Sequence, residues 1–294
     1  MIPTEQRTAE ACWACGTPAT PTEEFLPAPY RRCPSCGLVF QPHRDAAELR
    51  GLYDEAYFED YAGGDYAEDD ADRRSEARVR VRRLRRVLAG GRLLEIGAAG
   101  GHFLAEARRA GFDPVGIEPV AAFAAAARRR SGATVHEGFI EDAALEPASF
   151  DVACAFHVLE HIERPLPVLE RLGAALRPGG VLFVEVPNIE SFQARRLRSG
   201  WANLEPLHHV GQYAPASLRT MLEAAGFDVL EAETVPFFSY LRPARALTPL
   251  HLAHRAVLSA RARVPLRGPH PSRHELLRAF ARVPWPSSTP PATS

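Results

Sequence analysis

The segment Leu93-Leu94-Glu95-Ile96-Gly97-Ala98-Ala99-Gly100-Gly101-His102-Phe103 restricts the fold more than any other stretch of the chain. An apolar run of strand length meets a glycine-rich turn, and a helical pattern from His102 to Ala110 follows at once and stops at Gly111. Glycine serves at such a junction because the backbone must turn sharply and let a ligand come close. The same rhythm then repeats. Val115 to Glu118 reads as a strand, Val120 to Arg130 as an Ala-rich helix, Val135 as a short strand and Asp151 to Phe156 as a buried one. Pro165 to Leu176 reads as a helix, Val181 to Val186 as a strand, Ser217 to Ala225 as a helix and Phe227 to Thr234 as a strand. Strands alternating with helices predict βαβ units, hence an α/β fold with a mostly parallel, Rossmann-like sheet and helices on both faces.

The glycine turn is not a dinucleotide fingerprint. G-x-G-x-x-G spacing would need glycine at 97, 99 and 102, and the chain has Gly97, Ala99 and His102. No Gly-Lys-Ser/Thr follows, so the phosphate-loop pattern fails as well. Twenty-one residues after Gly97, however, Glu118 ends the second strand. An acid there accepts hydrogen bonds from both hydroxyls of a ribose, and turn plus acid together mark a nucleoside site.

Four of the five cysteines fall into two close pairs, Cys12-x-x-Cys15 and Cys33-x-x-Cys36, seventeen residues apart. Paired knuckles let four thiolates converge on one zinc ion, and with every position filled by Cys the site reads as closed and structural. In a reducing compartment, such pairs suggest metal binding before disulfides. The polar, Cys-containing N-terminus and the lack of an 18-residue apolar run give a cytoplasmic expectation, with no transmembrane helix. Cys154 lies in an apolar strand and reads as inert.

These signals divide the chain into a zinc ribbon (1–45), a helical linker or lid (46–90), the α/β unit (91–240) and a basic, Pro-rich tail (241–294). In the linker, nine acidic residues between Asp54 and Asp72 precede eight Arg between Arg73 and Arg86. Val81, Leu84 and Leu88 form one packing stripe, and the charge runs read as solvated faces. Tyr53, Tyr57, Phe58 and Tyr61 either close over a ligand or pack the ribbon against the larger unit. In the tail, short helices are expected near Leu250 to Ala262 and Arg273 to Arg282, and disorder from Pro284 onward. The net charge of −1 gives no global bias toward nucleic acid or membranes.

Glu95-x-Gly97-x-x-x-Gly101 resembles the first motif of class I S-adenosylmethionine-dependent methyltransferases. Glu118 resembles their ribose acid. Phe150-Asp151-Val152 with His157-Val158-Leu159-Glu160-His161 is similar to their fourth-strand motif, and Arg177-Pro178-Gly179-Gly180 to the turn before their fifth strand. One position departs: Ala99 stands where the family usually has glycine. The Cys pairs resemble the zinc module of several bacterial methyltransferases, deoxysugar C-methyltransferases among them. The resemblance implies S-adenosylmethionine as cofactor and Zn2+ as a structural ion. It implies Glu95, Gly97, Ala99, Gly101 and Glu118 around the cofactor and Ile140 and Glu141 beside its adenine. His157 falls near the sulfonium end, in direct contact or one shell behind.

A last cluster, Trp201 to Tyr213, contains His208-His209 and lies between the fifth strand and the next helix. In this fold that insertion sits over the carboxyl ends of the strands, where an imidazole can take a proton from a substrate hydroxyl. Packing of the insertion and capping of the next helix are the alternatives. The expected activity is methyl transfer to a small molecule, a sugar or secondary metabolite, with O-methylation ahead of N- or C-methylation. Its rivals are RNA methylation and a non-catalytic cofactor-binding partner.

Overall fold

A computed structural model describes residues 10–42, 44–53, 70–236 and 274–286. Four short strands open it: β1 (Glu10–Ala11), β2 (Pro18–Pro21), β3 (Arg31–Arg32) and β4 (Val39–Phe40), paired antiparallel in sequence order. Two helices follow, α1 (Ala46–Gly51) and α2 (Asp70–Leu84). Asp45 caps α1 by accepting from the N–H groups of Ala47 and Glu48. Tyr57, Phe58 and Tyr61 lie outside the described residues.

The remaining elements build a seven-stranded sheet. Its strands are β5 (Gly91–Ile96), β6 (Phe112–Glu118), β7 (Thr134–Glu137), β8 (Phe150–Phe156), β9 (Leu176–Pro187), β11 (Asp228–Val235) and β12 (Leu276–Arg282). Between them run α3 (His102–Arg109), α4 (Ala121–Ser131), α5 (Leu166–Ala175), α6 (Phe192–Leu197) and α7 (Pro215–Ala224). The spatial order is β7-β6-β5-β8-β9-β12-β11. β5 to β9 are parallel, and β12 runs antiparallel between β9 and β11.

The two-residue period of the strands sorts the core. Val152, Cys154 and Phe156 of β8, Phe183 of β9 and Phe280 of β12 face α2, α3 and α4. Ala153, Ala155, Leu182, Val184, Leu277 and Ala279 face α5 and α7 on the other side. Both faces are therefore covered, as the continuous apolar runs of buried parallel strands require.

Two expectations are corrected. The expected helix over Arg273 to Arg282 is strand β12. Leu, Arg and Ala favour a helix in isolation, but the sheet rewards an alternating segment buried on both faces, and packing overrides propensity. The companion helix expected near Leu250 to Ala262 lies outside the described residues. The second correction concerns one residue of the Arg block, expected to be solvated: Arg78, Arg82, Arg85 and Arg86 are exposed, but Arg80 is not. Arg80 is buried and donates to Glu185 Oε2 at 2.7 Å, while Arg278 of β12 donates to Glu185 Oε1 at 2.7 Å. Burial pushes the Glu185 carboxyl up, but the two guanidiniums outweigh it and hold it at about 2. This buried triad pins α2 to β9 and β12. The expected stripe of Val81, Leu84 and Leu88 packs on the core as predicted.

The insertion after β9 contains a further strand, β10 (Gly211–Gln212), which pairs with β4 and becomes the fifth strand of the ribbon sheet. Tyr30 donates its hydroxyl to the His209 carbonyl at 2.7 Å, and Gln41 donates to the Pro206 carbonyl at 2.6 Å. Ribbon and insertion thus share one sheet.

Candidate active site and zinc-ribbon cluster

A cavity of about 790 Å³ opens at the carboxyl ends of β5, β6 and β8. Glu95, Gly97, Ala99 and Glu118 line one part of it. The β5–α3 turn explains why. Gly97 and Gly101 hold φ of +67° and +75°, and a Cβ on Gly97 would lie 2.6 Å from Val158 Cγ2. Ala99 also sits in the left-handed region, at φ +45°, and its N–H donates to Glu118 Oε2 at 2.7 Å. That bond supports an alanine where the family usually has glycine.

Glu118 is buried, and Oε1 accepts from the Val120 N–H at 3.0 Å. Two backbone donors thus fix the carboxylate's direction, and lone pairs remain for a ligand. Burial pushes its pKa up to about 7 against those two bonds. Glu95 is buried at the end of β5, and its Oε2 has no hydrogen-bond partner among the described residues. Burial drives the Glu95 carboxyl well up, with Arg80 pulling the other way.

Ile140 and Glu141 also line the cavity, as does His157. His157 holds φ of +56°, in the left-handed region that few residues other than glycine adopt, and its Nδ1 lies 3.3 Å from Glu160 Oε1. Burial pulls the His157 imidazole down, but Glu160 outweighs it and leaves the pKa raised. Gly101 is not among the cavity residues; a Cβ there would meet the Cα of Ala127 at 2.6 Å. It lets α3 and α4 pack closely. Gly101→Ala is therefore expected to lower stability by about 1–3 kcal/mol. Denaturant melts and cofactor titration check this: a loss confined to cofactor affinity would assign Gly101 to the cofactor instead.

The insertion supplies the opposite wall. His209 is buried, lines the cavity and packs its ring against His161 with centroids 4.6 Å apart. Its Nδ1 is 2.8 Å from the Asn203 carbonyl. A carbonyl only accepts, so Nδ1 carries a proton, and Nε2 lies 3.8 Å from Glu205 Oε2. His208 does not line the cavity; its ring stands 6.5 Å from that of Tyr53.

Sequence reasoning missed Glu160 and His161 as site residues. Leu159–His161 form a single 3-10 turn after β8, and Glu160 is fully buried behind the cavity wall. Burial pushes Glu160 up, but His157 beside it outweighs that and holds it low. Burial, then the neighbouring His209, pull His161 down to about 3. The His-x-x-Glu-His spacing was the available signal. Cys154 is fully buried, and burial drives its thiol well up, in keeping with an inert residue.

In the ribbon, Cys12, Cys15, Cys33 and Cys36 converge. Sγ–Sγ distances are 3.6 Å for Cys12–Cys36, 3.5 Å for Cys15–Cys33 and 3.8 Å for Cys15–Cys36. Four thiolates at about 2.3 Å from one tetrahedral ion stand roughly 3.8 Å apart, so the donor set fits zinc.

With this geometry in view, comparison with known proteins is informative. Residues 70–232, more than half of the chain, match a family described as methyltransferase domain. A ubiquinone biosynthesis O-methyltransferase from Azorhizobium caulinodans is 29% identical over 163 residues, covering 52% of this chain and 64% of that protein. One from Paraburkholderia phymatum is 36% identical over 107 residues, covering 34% and 46%. The chain thus spans between about half and two-thirds of these relatives' lengths. Among solved structures, a Thermotoga maritima SAM-dependent methyltransferase aligns with a TM-score of 0.55 at 19% identity, covering 77% of this chain and 98% of the other. A Haloferax volcanii methyltransferase, solved with the Trm112 methyltransferase activator, aligns with a TM-score of 0.58 at 17% identity, covering 78% and 99%. These two share the fold. The family match, with the strand order and the glycine turn, makes the chain a member of the class I S-adenosylmethionine-dependent methyltransferases.

Proposed function

We propose that the protein transfers a methyl group from S-adenosylmethionine to a hydroxyl of a small molecule, a sugar or secondary metabolite. One observation carries this reading: a single cavity has Glu95 and Glu118 on one wall and His209 with His161 on the other. The donor set fits the cofactor. Glu118 suits two ribose hydroxyls, and the orphaned Glu95 oxygen suits a donor on the amino-acid part. Gly97 and Ala99 admit close approach, Ile140 and Glu141 flank the adenine, and His157 stands toward the sulfonium.

The cofactor supplies an electrophilic methyl group, and the chain's residues supply alignment and take up a proton. Glu118 and the β5–α3 turn fix the donor. His209 acts on the acceptor from the opposite wall, where Nε2 is the nitrogen that would take a hydroxyl proton. The ubiquinone relatives' printed O-methyltransferase names favour oxygen as acceptor atom. The Cys cluster holds one structural Zn2+, and paired thiols of this kind suit the cytoplasm. Among the described residues no helix is long and apolar enough to cross a membrane. Against an RNA acceptor, Arg80 and Arg83 of the Arg block pair with Glu185 and Glu233 and are largely covered.

Glu118→Ala is expected to weaken S-adenosylmethionine binding by about 1.5–3 kcal/mol, roughly ten- to a hundredfold. Calorimetry checks it, and unchanged affinity refutes the ribose role. The carboxylate form is the one that accepts two hydroxyls, so wild-type affinity rises as pH increases through about 7 and then levels. Glu118→Gln flattens that rise.

The reaction itself is tested with methyl-labelled S-adenosylmethionine against a panel of phenols, catechols, sugars and sugar nucleotides, with bulk RNA in parallel. Label in a small-molecule methyl ether supports the reading. Label in RNA, or only on nitrogen or carbon, overturns it. Cofactor binding without label transfer to any acceptor favours the non-catalytic rival.

A further inference from the structure

Glu160, His161 and His209 each offer one ligand atom, and the three atoms lie within 4.8 Å of one another. Two come from the turn after β8 and the third from the insertion beyond β9, so the fold gathers them from distant parts of the chain. Glu160 is fully buried. Its Oε2 makes no hydrogen bond among the described residues, and Oε1 has His157 Nδ1 at 3.3 Å without a well-aligned bond. His161 Nδ1 is likewise buried without a hydrogen-bond partner there. A buried carboxylate left with open lone pairs is costly unless a cation or further donors complete it.

His209 adds an independent observation. Its Nδ1–H is held by the Asn203 carbonyl, which leaves Nε2, 3.8 Å from Glu205 Oε2, as the nitrogen that can take a metal. Metal-bound histidines are commonly oriented by this kind of second contact. Two imidazoles and one carboxylate facing a cavity form a donor set for first-row divalent ions with open coordination positions. Three atoms bound to one ion at about 2.0–2.2 Å with open positions beside them stand roughly 3.0–3.6 Å apart, so the side chains draw together onto the ion when it binds. The other buried cluster, Glu76, His157 and Glu185, is a poorer candidate because Arg80 and Arg278 already occupy both Glu185 oxygens.

We propose that Glu160, His161 and His209 form a two-histidine, one-carboxylate site for a divalent first-row cation, separate from the ribbon's zinc. His161 and His209 line the cavity, so the open positions face the acceptor. A hydroxyl bound there becomes more acidic and loses its proton to water. Its oxygen forms the new C–O bond, and the C–S bonding pair stays on sulfur as the sulfonium becomes a thioether. The acceptor's placement rests on the O-methylation reading above; binding of the cation does not. On this account His209 acts on the acceptor through the ion rather than as a free base.

The test titrates the full-length, zinc-loaded protein with Mn2+ and follows the free ion by electron paramagnetic resonance. Mn2+ prefers nitrogen and oxygen donors and leaves thiolate-bound zinc in place. The expected result is one Mn2+ bound per chain beyond the ribbon zinc, with affinity falling at least tenfold in Glu160→Gln and in His209→Ala. Glu160→Gln keeps the side chain's shape, and its S-adenosylhomocysteine affinity and zinc content report an intact fold. No ion beyond the ribbon zinc, or one that both variants bind unchanged, overturns the proposal. A bound ion without methyl transfer to any hydroxyl would retain the site and reject the O-methylation reading.

Discussion

Stripping the zinc proposed for the Cys cluster is expected to unfold residues 10–42 and release the insertion that carries His209. Strands of two to four residues cannot hold a sheet by themselves, and structural zinc in comparable modules contributes apparent binding free energies of about 10–16 kcal/mol. The effect propagates because β10 pairs with β4 and Tyr30 and Gln41 hold the His209 and Pro206 carbonyls. Trp13 and Trp201 are both buried, one in the ribbon and one in the insertion, where it packs with Phe25, Tyr30 and Val39 of the ribbon. Chelation, or Cys33→Ser, should remove one equivalent of zinc and shift tryptophan emission to the red. The cofactor wall belongs to β5 and β6, so S-adenosylmethionine affinity should change little. Four free thiols in a fully folded protein, or a release of zinc that leaves the emission unmoved, would contradict this coupling.

Replacing His209 by alanine should lower turnover by about 10² to 10⁴, a barrier increase of roughly 3–5.5 kcal/mol, with near-normal cofactor affinity. The same substitution at His208 should cost far less, because His208 does not line the cavity. The measurement compares turnover of both variants on the acceptor found in the labelled-methyl panel. Normal turnover in both would reduce the histidines to packing; a larger loss at His208 would reverse the assignment. The result is independent of whether His209 takes the proton itself or works through a bound cation.

Local pattern carried most of the α/β core. Alternating apolar runs located β5 to β9, and the turn at Gly97 with the acid at Glu118 located one wall of the cavity, because both signals lie within a few residues of chain. The rest depends on partners far apart in sequence. β12 could not be read from Leu276 to Arg282, whose residues favour a helix until β9 and β11 flank them. The pairing of Phe40 with Gly211 involves strands too short to leave a periodic trace. Arg80 looked like one more surface charge until Glu185 met it inside the protein. Glu160 and His161 were quoted as part of a motif, but their relation to His209 exists only after the insertion folds back.

The position of β12 has a consequence for how the protein is made. On a ribosome, β5 to β9 and β11 emerge well before residues 276–282, yet β9 and β11 have no contact across the gap that this strand fills. Until it arrives, each presents an open edge with unpaired backbone groups, the kind of surface that recruits other chains. Arg278 also arrives with β12, so Glu185 is half-neutralised until then. Closure of the sheet is thus a late, long-range event in synthesis.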